Sequence, residues 1–255
     1  MSAADHLALP RSAERHPPTR LLHGLRPTAA WLVRRRWPVR VHGHDRVPPH
    51  GGVILAANHV GVIDGPLLAV FSPRPVHALT KQEMFAGRLG GFLRAAGQIP
   101  LDRYAADPAA IRSCLRVVRD GGVAGIFPEG TRGDGRLGRF HHGAAYLALV
   151  TGAPVVPVTM IGTRPAGGSS NALPERGGSI DVVFGAPWRI TQQPWPRTRE
   201  HVRESSVLLR LHMLSELDGA LAQTRRSLPG PLPAGQSEDD PDTGLVEHGN
   251  EHPHD

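Results

Sequence analysis

The sequence predicts an α/β domain with a mostly parallel central sheet flanked by helices on both faces. Short, fully apolar runs, typical of buried strands, alternate along the chain with segments whose apolar residues recur at helical spacing. Gly and Pro together make up about a fifth of the 255 residues, which agrees with many short elements joined by turns. Alternation of this kind is the pattern of strand–helix–strand units, which build parallel sheets.

The individual elements follow from the same patterns. The clearest buried strands are predicted at 52–57, 122–127 and 154–159. Weaker strand patterns lie at 76–80, 97–101 and 180–185. Helical patterns lie near 65–71, 83–95, 107–119, 139–150 and 198–222. A further helix is predicted over 20–37, where Pro27 should kink the segment or divide it in two.

The middle of the chain, 41–226, is predicted to form a single domain. Residues 1–18 are polar and Pro-rich, and residues 227–255 are Pro/Gly-rich and acidic, so both ends are predicted to be disordered. With 40 % apolar and 20 % charged residues, the composition fits a globular protein that is soluble or peripheral to a membrane. No apolar run reaches the roughly 18 to 20 residues of a membrane span, and the N-terminus lacks the pattern of a secretory signal.

The segment 19–40 is predicted to be an amphipathic membrane-docking segment. Its apolar stripe at helical spacing consists of Leu22, Leu25, Ala29 and Leu32. Arginines surround this stripe, and Trp31 and Trp37 near its end suit the boundary between headgroups and acyl chains. The alternative is an ordinary surface helix packed on the core.

Charge and cysteine content narrow the function further. Outside the acidic last 29 residues, 29 basic residues face 16 acidic ones, and Lys81 is the one lysine. Arginine suits bidentate phosphate binding, although a GC-rich genome gives the same bias. The basic part of the chain before this acidic end favours phosphates or anionic lipid as ligands. Nucleic acid is disfavoured, because aromatic residues are 5 % and no zinc-finger spacing is present.

The one cysteine, Cys114, excludes a disulfide framework and indicates a reducing, cytoplasmic setting. Its helical neighbours predict a core position for it.

A candidate general base lies in the segment 58–66, between a predicted strand and a predicted helix. His59 and Asp64 are five residues apart, so on a continuous helix they would point roughly 140° apart. They can meet only across a turn, which Gly61 makes easier. An imidazole held by a carboxylate is a base with a fixed tautomer. The alternative is that Asp64 only caps the helix and His59 is a polar loop residue.

A candidate phosphate site follows the next clear strand, at 127–132 (Phe-Pro-Glu-Gly-Thr-Arg). Pro128 and Gly130 shape a turn that can expose backbone N–H groups, while Thr131 and Arg132 add a hydroxyl and a guanidinium. Taken alone, such a turn is also compatible with a purely structural role.

Together, these two segments resemble the glycerophospholipid acyltransferase family, which includes the 1-acyl-glycerol-3-phosphate acyltransferases. The family's Asn-His-x4-Asp signature is matched by Asn58, His59 and Asp64, and its Phe-Pro-Glu-Gly-Thr-Arg block by 127–132. Weaker echoes of the other blocks lie at 80–85, 97–103 and 156–158. Two departures are Gly61, where the family often has Ser, and His141-His142, where a lysine is common. We expect these two histidines to be surface or helix-entry residues, not metal ligands.

The resemblance implies a glycerol-3-phosphate acyltransferase-like fold and acyl transfer to a glycerophospholipid hydroxyl. His59 would deprotonate the acceptor hydroxyl, and Asp64 would orient and charge-stabilise the imidazole. The acceptor phosphate would be held by Arg132 together with Arg103 and the 129–131 turn, that is Glu129, Gly130 and Thr131. Glu129 would brace this turn or contact the acceptor glycerol. No metal and no organic cofactor is implied.

The same resemblance implies the partners. The donor would be acyl-CoA or acyl-carrier protein, and the acceptor lysophosphatidate or another lysophospholipid. An anionic membrane surface is expected to supply the lipids, with the protein peripheral on the cytoplasmic face of the cell membrane. Two rivals remain: a hydrolase that activates water with the same pair, and a membrane-binding module without activity.

Overall fold

The computed structural model describes residues 10–105, 107–194 and 196–236, together with the backbone of 245–246. Its α-helices are α1 Arg20–Arg36, α2 Asp64–Phe71, α3 Gly87–Ala95, α4 Pro108–Arg119, α5 Gly143–Thr151 and α6 Arg199–Thr224. Its strands are β1 Val39–His42, β2 Val53–Ala57, β3 Val76–Lys81, β4 Ile99–Leu101, β5 Val123–Ile126, β6 Arg139–Phe140, β7 Val155–Ile161, β8 Ile180–Phe184 and β9 Leu245–Val246. Two short 3-10 helices cover His44–Arg46 and Gln82–Phe85.

The central sheet confirms the predicted α/β class. Its strand order is β1-β8-β7-β2-β5-β3-β4, and the five strands from β7 to β4 run parallel. β8 pairs antiparallel with β7, and β1 pairs parallel with β8. The carboxyl ends of β2, β4, β5 and β7 therefore meet at one edge of the sheet, where ligand sites of open α/β sheets form.

The core lies on both faces of this sheet. In β2, Ile54 packs with α4, α5 and α6 on one face, whereas Leu55 packs with α2 on the other. A strand buried on both faces needs apolar residues at every position, which explains the unbroken apolar runs in the sequence. Cys114 is fully buried in the first of these clusters, as predicted, and burial raises the pKa of its thiol to about 12.

Three elements differ in detail from the sequence prediction. The helix predicted at 139–150 begins only at Gly143, because residues 139–140 pair with 245–246 as the antiparallel strands β6 and β9. The helix predicted at 83–95 is divided into a 3-10 turn and α3, with Gly87 in the left-handed region at φ 58° between them. Strand β1 at the sheet edge was not predicted.

Helix α1 runs unbroken through Pro27, so of the two outcomes predicted there, a kink or a division in two, the division is wrong. Packing on α2 holds the helix in place. The guanidinium of Arg26 donates to the carbonyl of Ser72 at the end of α2, and Arg34 lies over the Phe71 ring at 4.8 Å. Val33 packs against the core. No α-helix in the described ranges is both long and apolar enough to cross a membrane.

The described parts of the chain ends lie against the domain. Residues 10–14, part of the segment predicted to be disordered, lie along α4, where Ala13 N–H donates to the Arg112 carbonyl at 3.0 Å. The Arg119 guanidinium donates to the Pro10 carbonyl at 2.5 Å. Residues 1–9 and most of the acidic tail fall outside the described residues, so the predicted disorder there stays a prediction.

Candidate active site

His59 and Asp64 meet in the turn between β2 and α2. His59 Nδ1 lies 2.8 Å from Asp64 Oδ2, and the Asp64 side chain is fully buried at the start of α2. The same oxygen accepts the backbone N–H groups of Val60 at 2.7 Å and Gly61 at 2.8 Å. The turn is thus folded around one carboxylate oxygen. The alternative, in which Asp64 only caps the helix and leaves His59 alone, does not describe this geometry.

The contact with Asp64 sets the tautomer of the neutral imidazole. Because a carboxylate oxygen accepts a hydrogen bond from Nδ1, that nitrogen carries the proton of the neutral ring and Nε2 keeps a lone pair. The His59 side chain is 16 % exposed and lines a cavity. The Phe127 ring stacks against it, with ring centroids 4.3 Å apart and planes tilted by 30°. A fixed tautomer, a held ring and an accessible Nε2 are what a general base requires.

Asn58 connects this turn to the sheet. Its side-chain Oδ1 accepts the Met160 N–H at 2.7 Å, and its Nδ2 donates to the Met160 carbonyl at 3.3 Å. The amide therefore continues the β2–β7 hydrogen bonding beyond the last residue of β2. It sets where the chain leaves the sheet, and hence where His59 begins.

The loop after β5 binds both main-chain groups of His59. Glu129 Oε1 accepts the His59 N–H at 2.8 Å, and the Gly133 N–H donates to the His59 carbonyl at 2.8 Å. Gly130 has φ 71°, in the left-handed region, which lets the loop turn back at this point. The two motifs singled out in the sequence are therefore one structural unit.

Glu129 is a buried acid with a perturbed proton affinity. Glu129 is only 5 % exposed, and burial raises the pKa of its carboxyl group to about 8. The hydrogen bond from the His59 backbone lowers the pKa, while the charges of Asp134 and Asp64 raise it. The carboxyl group contacts the His59 backbone. Of the two roles expected for Glu129, bracing the turn or contacting the acceptor glycerol, this contact favours bracing.

A large cavity of about 1270 Å³ opens beside His59. At its polar end the wall includes His59, Arg103, Gly130 and Arg132; neither Glu129 nor Thr131 belongs to the described wall. Arg132 Nη1 donates to Asn171 Oδ1 at 2.7 Å and to the Ser170 carbonyl at 3.2 Å. Arg103 Nη1 donates to the Gly130 carbonyl at 3.3 Å. Two guanidinium groups thus flank the base in one cavity.

The rest of this cavity is apolar and reaches α1. Its wall there includes Leu22, Leu25, Leu79, Leu93, Ile111 and Leu115. The apolar stripe of α1 is therefore divided: Leu22 is buried and Leu25 borders the cavity, whereas Leu32 and Trp31 are more than half exposed. The stripe is not one free surface, as the sequence pattern suggested, because the domain already uses its first half.

His141 and His142 are half-buried residues at the entry to α5, and both line the same cavity. His142 Nδ1 lies 2.8 Å from Ser206 Oγ of α6, and burial lowers the pKa of His142. Their place at the helix entry agrees with the expectation of surface or helix-entry residues. Across the described residues, no group of three or more His, Cys, Asp or Glu side chains could hold a metal ion.

Two polar residues of this region were missed in the sequence. Arg164 lies three residues after β7 and Asn171 follows in the same loop. The available signal was position: Arg164 follows a buried parallel strand just as His59 and the 127–132 turn do.

A carboxylate-held histidine and two arginines thus lie at the carboxyl ends of the strands of an α/β sheet, which is the arrangement of a candidate enzyme active site. Comparison with known proteins indicates which enzymes the chain resembles. A family model described as Acyltransferase matches residues 38–161. The match covers just under half of the chain, and together with the relatives that follow it supports an acyltransferase enzyme.

Individual relatives agree with this assignment. A 1-acyl-sn-glycerol-3-phosphate acyltransferase of Bacillus subtilis (strain 168) is 29 % identical over 158 residues, which are 61 % of this chain and 76 % of the relative. One from Borreliella burgdorferi is 33 % identical over 141 residues, covering 52 % of this chain and 54 % of the relative. The crystal structure of the 1-acyl-sn-glycerophosphate acyltransferase of Thermotoga maritima shares the fold, with a TM-score of 0.57, 20 % identity and coverage of 81 % and 79 % of the two chains.

Proposed function

We propose that the protein transfers a fatty acyl group from acyl-CoA or acyl-carrier protein to the free hydroxyl of 1-acyl-glycerol-3-phosphate, giving phosphatidate. The observation that carries this proposal is the cavity beside His59. It combines a base and two guanidinium groups at one end with an apolar region that fits an acyl chain. The relatives named for this reaction support the choice of acceptor.

The His59–Asp64 pair performs the proton transfer. His59 Nε2 takes the proton of the acceptor hydroxyl as its oxygen attacks the thioester carbonyl carbon. Asp64 stabilises the imidazolium so formed through the 2.8 Å contact with Nδ1. The tetrahedral intermediate then expels the thiolate, the new ester bond remains, and the imidazolium returns its proton to the leaving sulfur. The reaction needs no covalent acyl-enzyme.

The acceptor phosphate binds between Arg103 and Arg132. Asn171 and the Ser170 carbonyl orient the Arg132 guanidinium, so its planar fork is held ready for a phosphate. The Gly130 backbone lines the cavity beside these two arginines. Glu129 acts through its contact with the His59 backbone and holds the base at a fixed distance from this phosphate site.

The cavity receives its lipids from a membrane surface on the cytoplasmic side. Its rim carries exposed apolar side chains, namely Leu25 on α1, Met84 in the 3-10 turn, and Leu89 and Phe92 on α3. Trp31 of α1 is 57 % exposed, and Arg35 lies over its ring at 4.9 Å. Apolar groups ringed by arginines fit an anionic bilayer surface.

The test is acyl transfer by purified protein from labelled acyl-CoA to a panel of lysolipids. We expect labelled phosphatidate from lysophosphatidate, and little product from lysolipids without a terminal phosphate. His59→Ala should lower turnover by about 100-fold or more. His44→Ala, an exposed histidine outside the cavity, is the matched control and should keep wild-type activity.

Three outcomes contradict the proposal. Release of free fatty acid at a rate that does not depend on acceptor would indicate a hydrolase. Vesicle binding by a folded protein without turnover of any donor would indicate a binding module. Full activity of His59→Ala would remove the histidine from the mechanism.

A further inference from the structure

Arg164 is a buried arginine that joins four segments around the active-site turn. The residue is 2 % exposed. Its Nε donates to the Val60 carbonyl at 2.9 Å, and its Nη2 donates to the Gly133 carbonyl at 3.1 Å. Its Nη1 donates to the Gly168 carbonyl at 2.7 Å, and Nη2 also reaches the Gly230 carbonyl at 2.5 Å. One guanidinium thus holds the His59 turn, the loop after β5, its own loop and the chain beyond α6.

The approach of Arg164 to the turn depends on Gly61. A Cβ atom at position 61 would lie 2.6 Å from the Thr163 carbonyl oxygen, closer than real contacts allow. Any side chain there would push the residue before Arg164 away from the turn. Glycine at this position therefore permits the close packing that brings Nε of Arg164 to the Val60 carbonyl, in the turn where Asp64 accepts the Val60 N–H.

Acids of the site act on the charge of Arg164 from a distance, and among the described residues no carboxylate forms a direct ion pair with it. Burial lowers the pKa of Arg164, and the charges of Asp134 and Asp64 act in the opposite direction. Asp64 is itself fully buried, and its Oδ1 accepts no hydrogen bond from any described residue. Removing a charge from water is costly unless an opposite charge lies close.

We propose that Arg164 is a positioning residue of the acyl-transfer reaction, which holds the His59–Asp64 turn in its active geometry and places its positive charge beside the pair. The proposal deepens the proposed function and rests on His59 acting as the base. Arg164 acts through the turn, since its guanidinium donates to four backbone carbonyls and does not line the described cavity wall.

The sign of the charge effect follows from the pair as a unit. When the His59–Asp64 pair takes up one further proton, its net charge goes from −1 to 0, whichever of the two side chains holds that proton. A nearby positive charge opposes this uptake, and its removal raises the pH at which the pair becomes protonated. Other ionisable groups of the site also act on the pair and stay in place in the variants below: Arg103, Glu129, Arg132, Asp134, His141 and His142.

The test is the pH profile of kcat/KM for Arg164→Gln and Arg164→Lys in the full chain. We expect the acid limb of Arg164→Gln to move to higher pH by about one unit, the size expected for one charge at short range. Arg164→Lys keeps the charge but loses the four-carbonyl grip. Its acid limb should stay at the wild-type pH, while kcat falls at least about tenfold and the KM for acyl-CoA changes little.

Arg74→Gln is the matched control. Arg74 also joins backbone carbonyls, those of Pro48 at 2.9 Å, Gly51 at 2.8 Å and Gly121, but it does so at the opposite edge of the sheet. We expect Arg74→Gln to lower the stability of the fold without moving the acid limb of the kcat/KM profile. The proposal is overturned if Arg164→Gln keeps the wild-type limb, or if Arg74→Gln shifts it equally. If Arg164→Gln does not fold, a wild-type kcat in Arg164→Lys overturns it. Failure of the proposed function is seen separately, as an active His59→Ala enzyme.

Discussion

At the scale of single residues, the site depends on side chains that hold other groups more than on side chains that touch substrate. Asp64 binds two backbone N–H groups besides His59, Glu129 binds the backbone of His59, and Asn171 holds Arg132. Such contacts reduce the motion of the reacting groups before substrate arrives. Preorganised polar groups of this kind are a main source of enzymatic rate.

Arg132→Lys tests the proposed phosphate contact. Lysine keeps the charge but lacks the planar fork and the geometry that Asn171 holds. We expect the KM for lysophosphatidate to rise about tenfold, as loss of a charge-assisted hydrogen bond predicts, while the KM for acyl-CoA changes little. The measurement is steady-state kinetics with each substrate varied in turn. An equal rise in both KM values would speak against phosphate binding by Arg132.

Glu129→Gln tests the raised pKa of the buried acid. In the unfolded chain the carboxyl loses its proton near its ordinary pKa of 4.5, but in the folded protein only near 8. The folded state therefore binds the proton more tightly, and this group makes wild-type stability fall as pH rises from about 4.5 to 8. In Glu129→Gln this part of the fall disappears.

The corresponding measurement is the Tm of both proteins at pH 5 and pH 8. The wild type should lose several degrees more than Glu129→Gln over this interval. Glu204→Gln, an exposed position on α6, serves as the control and should follow the wild type. Parallel curves for wild type and Glu129→Gln would mean that Glu129 is already ionised in the folded protein at low pH.

At the scale of elements, α1 and α3 have two tasks at once. Their inward residues wall the cavity, whereas their outward residues form the exposed apolar rim. Deleting α1 is therefore a poor test of membrane docking, because it would also open the cavity and uncover the core contact of Val33. Substitutions on the exposed rim keep the core contacts of both helices, while the rim side chains themselves border the cavity mouth.

The double variant Leu89→Ser, Phe92→Ser tests the rim. These side chains are 51 % and 49 % exposed, so the fold should tolerate the change, while about tenfold weaker binding to vesicles rich in phosphatidylglycerol is expected from the lost apolar contact. Leu208→Ser, Leu211→Ser on α6, at 55 % and 56 % exposure, is the control. Co-sedimentation measures both, and added salt should weaken wild-type binding. Equal losses in the two variants would place the docking surface elsewhere.

At the scale of the whole molecule, the sequence predicted most of the sheet because buried parallel strands leave continuous apolar runs. Strand β1 was not predicted because it has no continuous apolar run. Its four residues alternate Val39 and Val41 with Arg40 and His42 on a half-buried edge. The reversal of β8 against β7 has no local signal, since direction is set by the connection and not by the strand. The early start predicted for α5 failed because residues 139–140 pair with a segment about a hundred residues away.

The candidate site was predictable to the extent that it lies in two short motifs. His59, Asp64 and Arg132 follow strands whose order and spacing are visible in the sequence. Arg164 and Asn171 arrive from a third loop, and their partners are backbone carbonyls or a side chain 39 residues away. A backbone carbonyl carries no residue identity, so contacts of this kind leave no pattern in a single sequence.

The two hydrogen bonds that join the main chain of His59 to the loop after β5 also limit how this protein can evolve. Glu129 is 70 positions from His59, yet a shift in either turn changes the alignment of the other. Substitutions in the two turns should therefore be epistatic, with combined effects that differ from the sum of the single ones. A change that is neutral against one version of the Glu129 loop can be damaging against another, so the two turns are expected to be exchanged between relatives only as a pair.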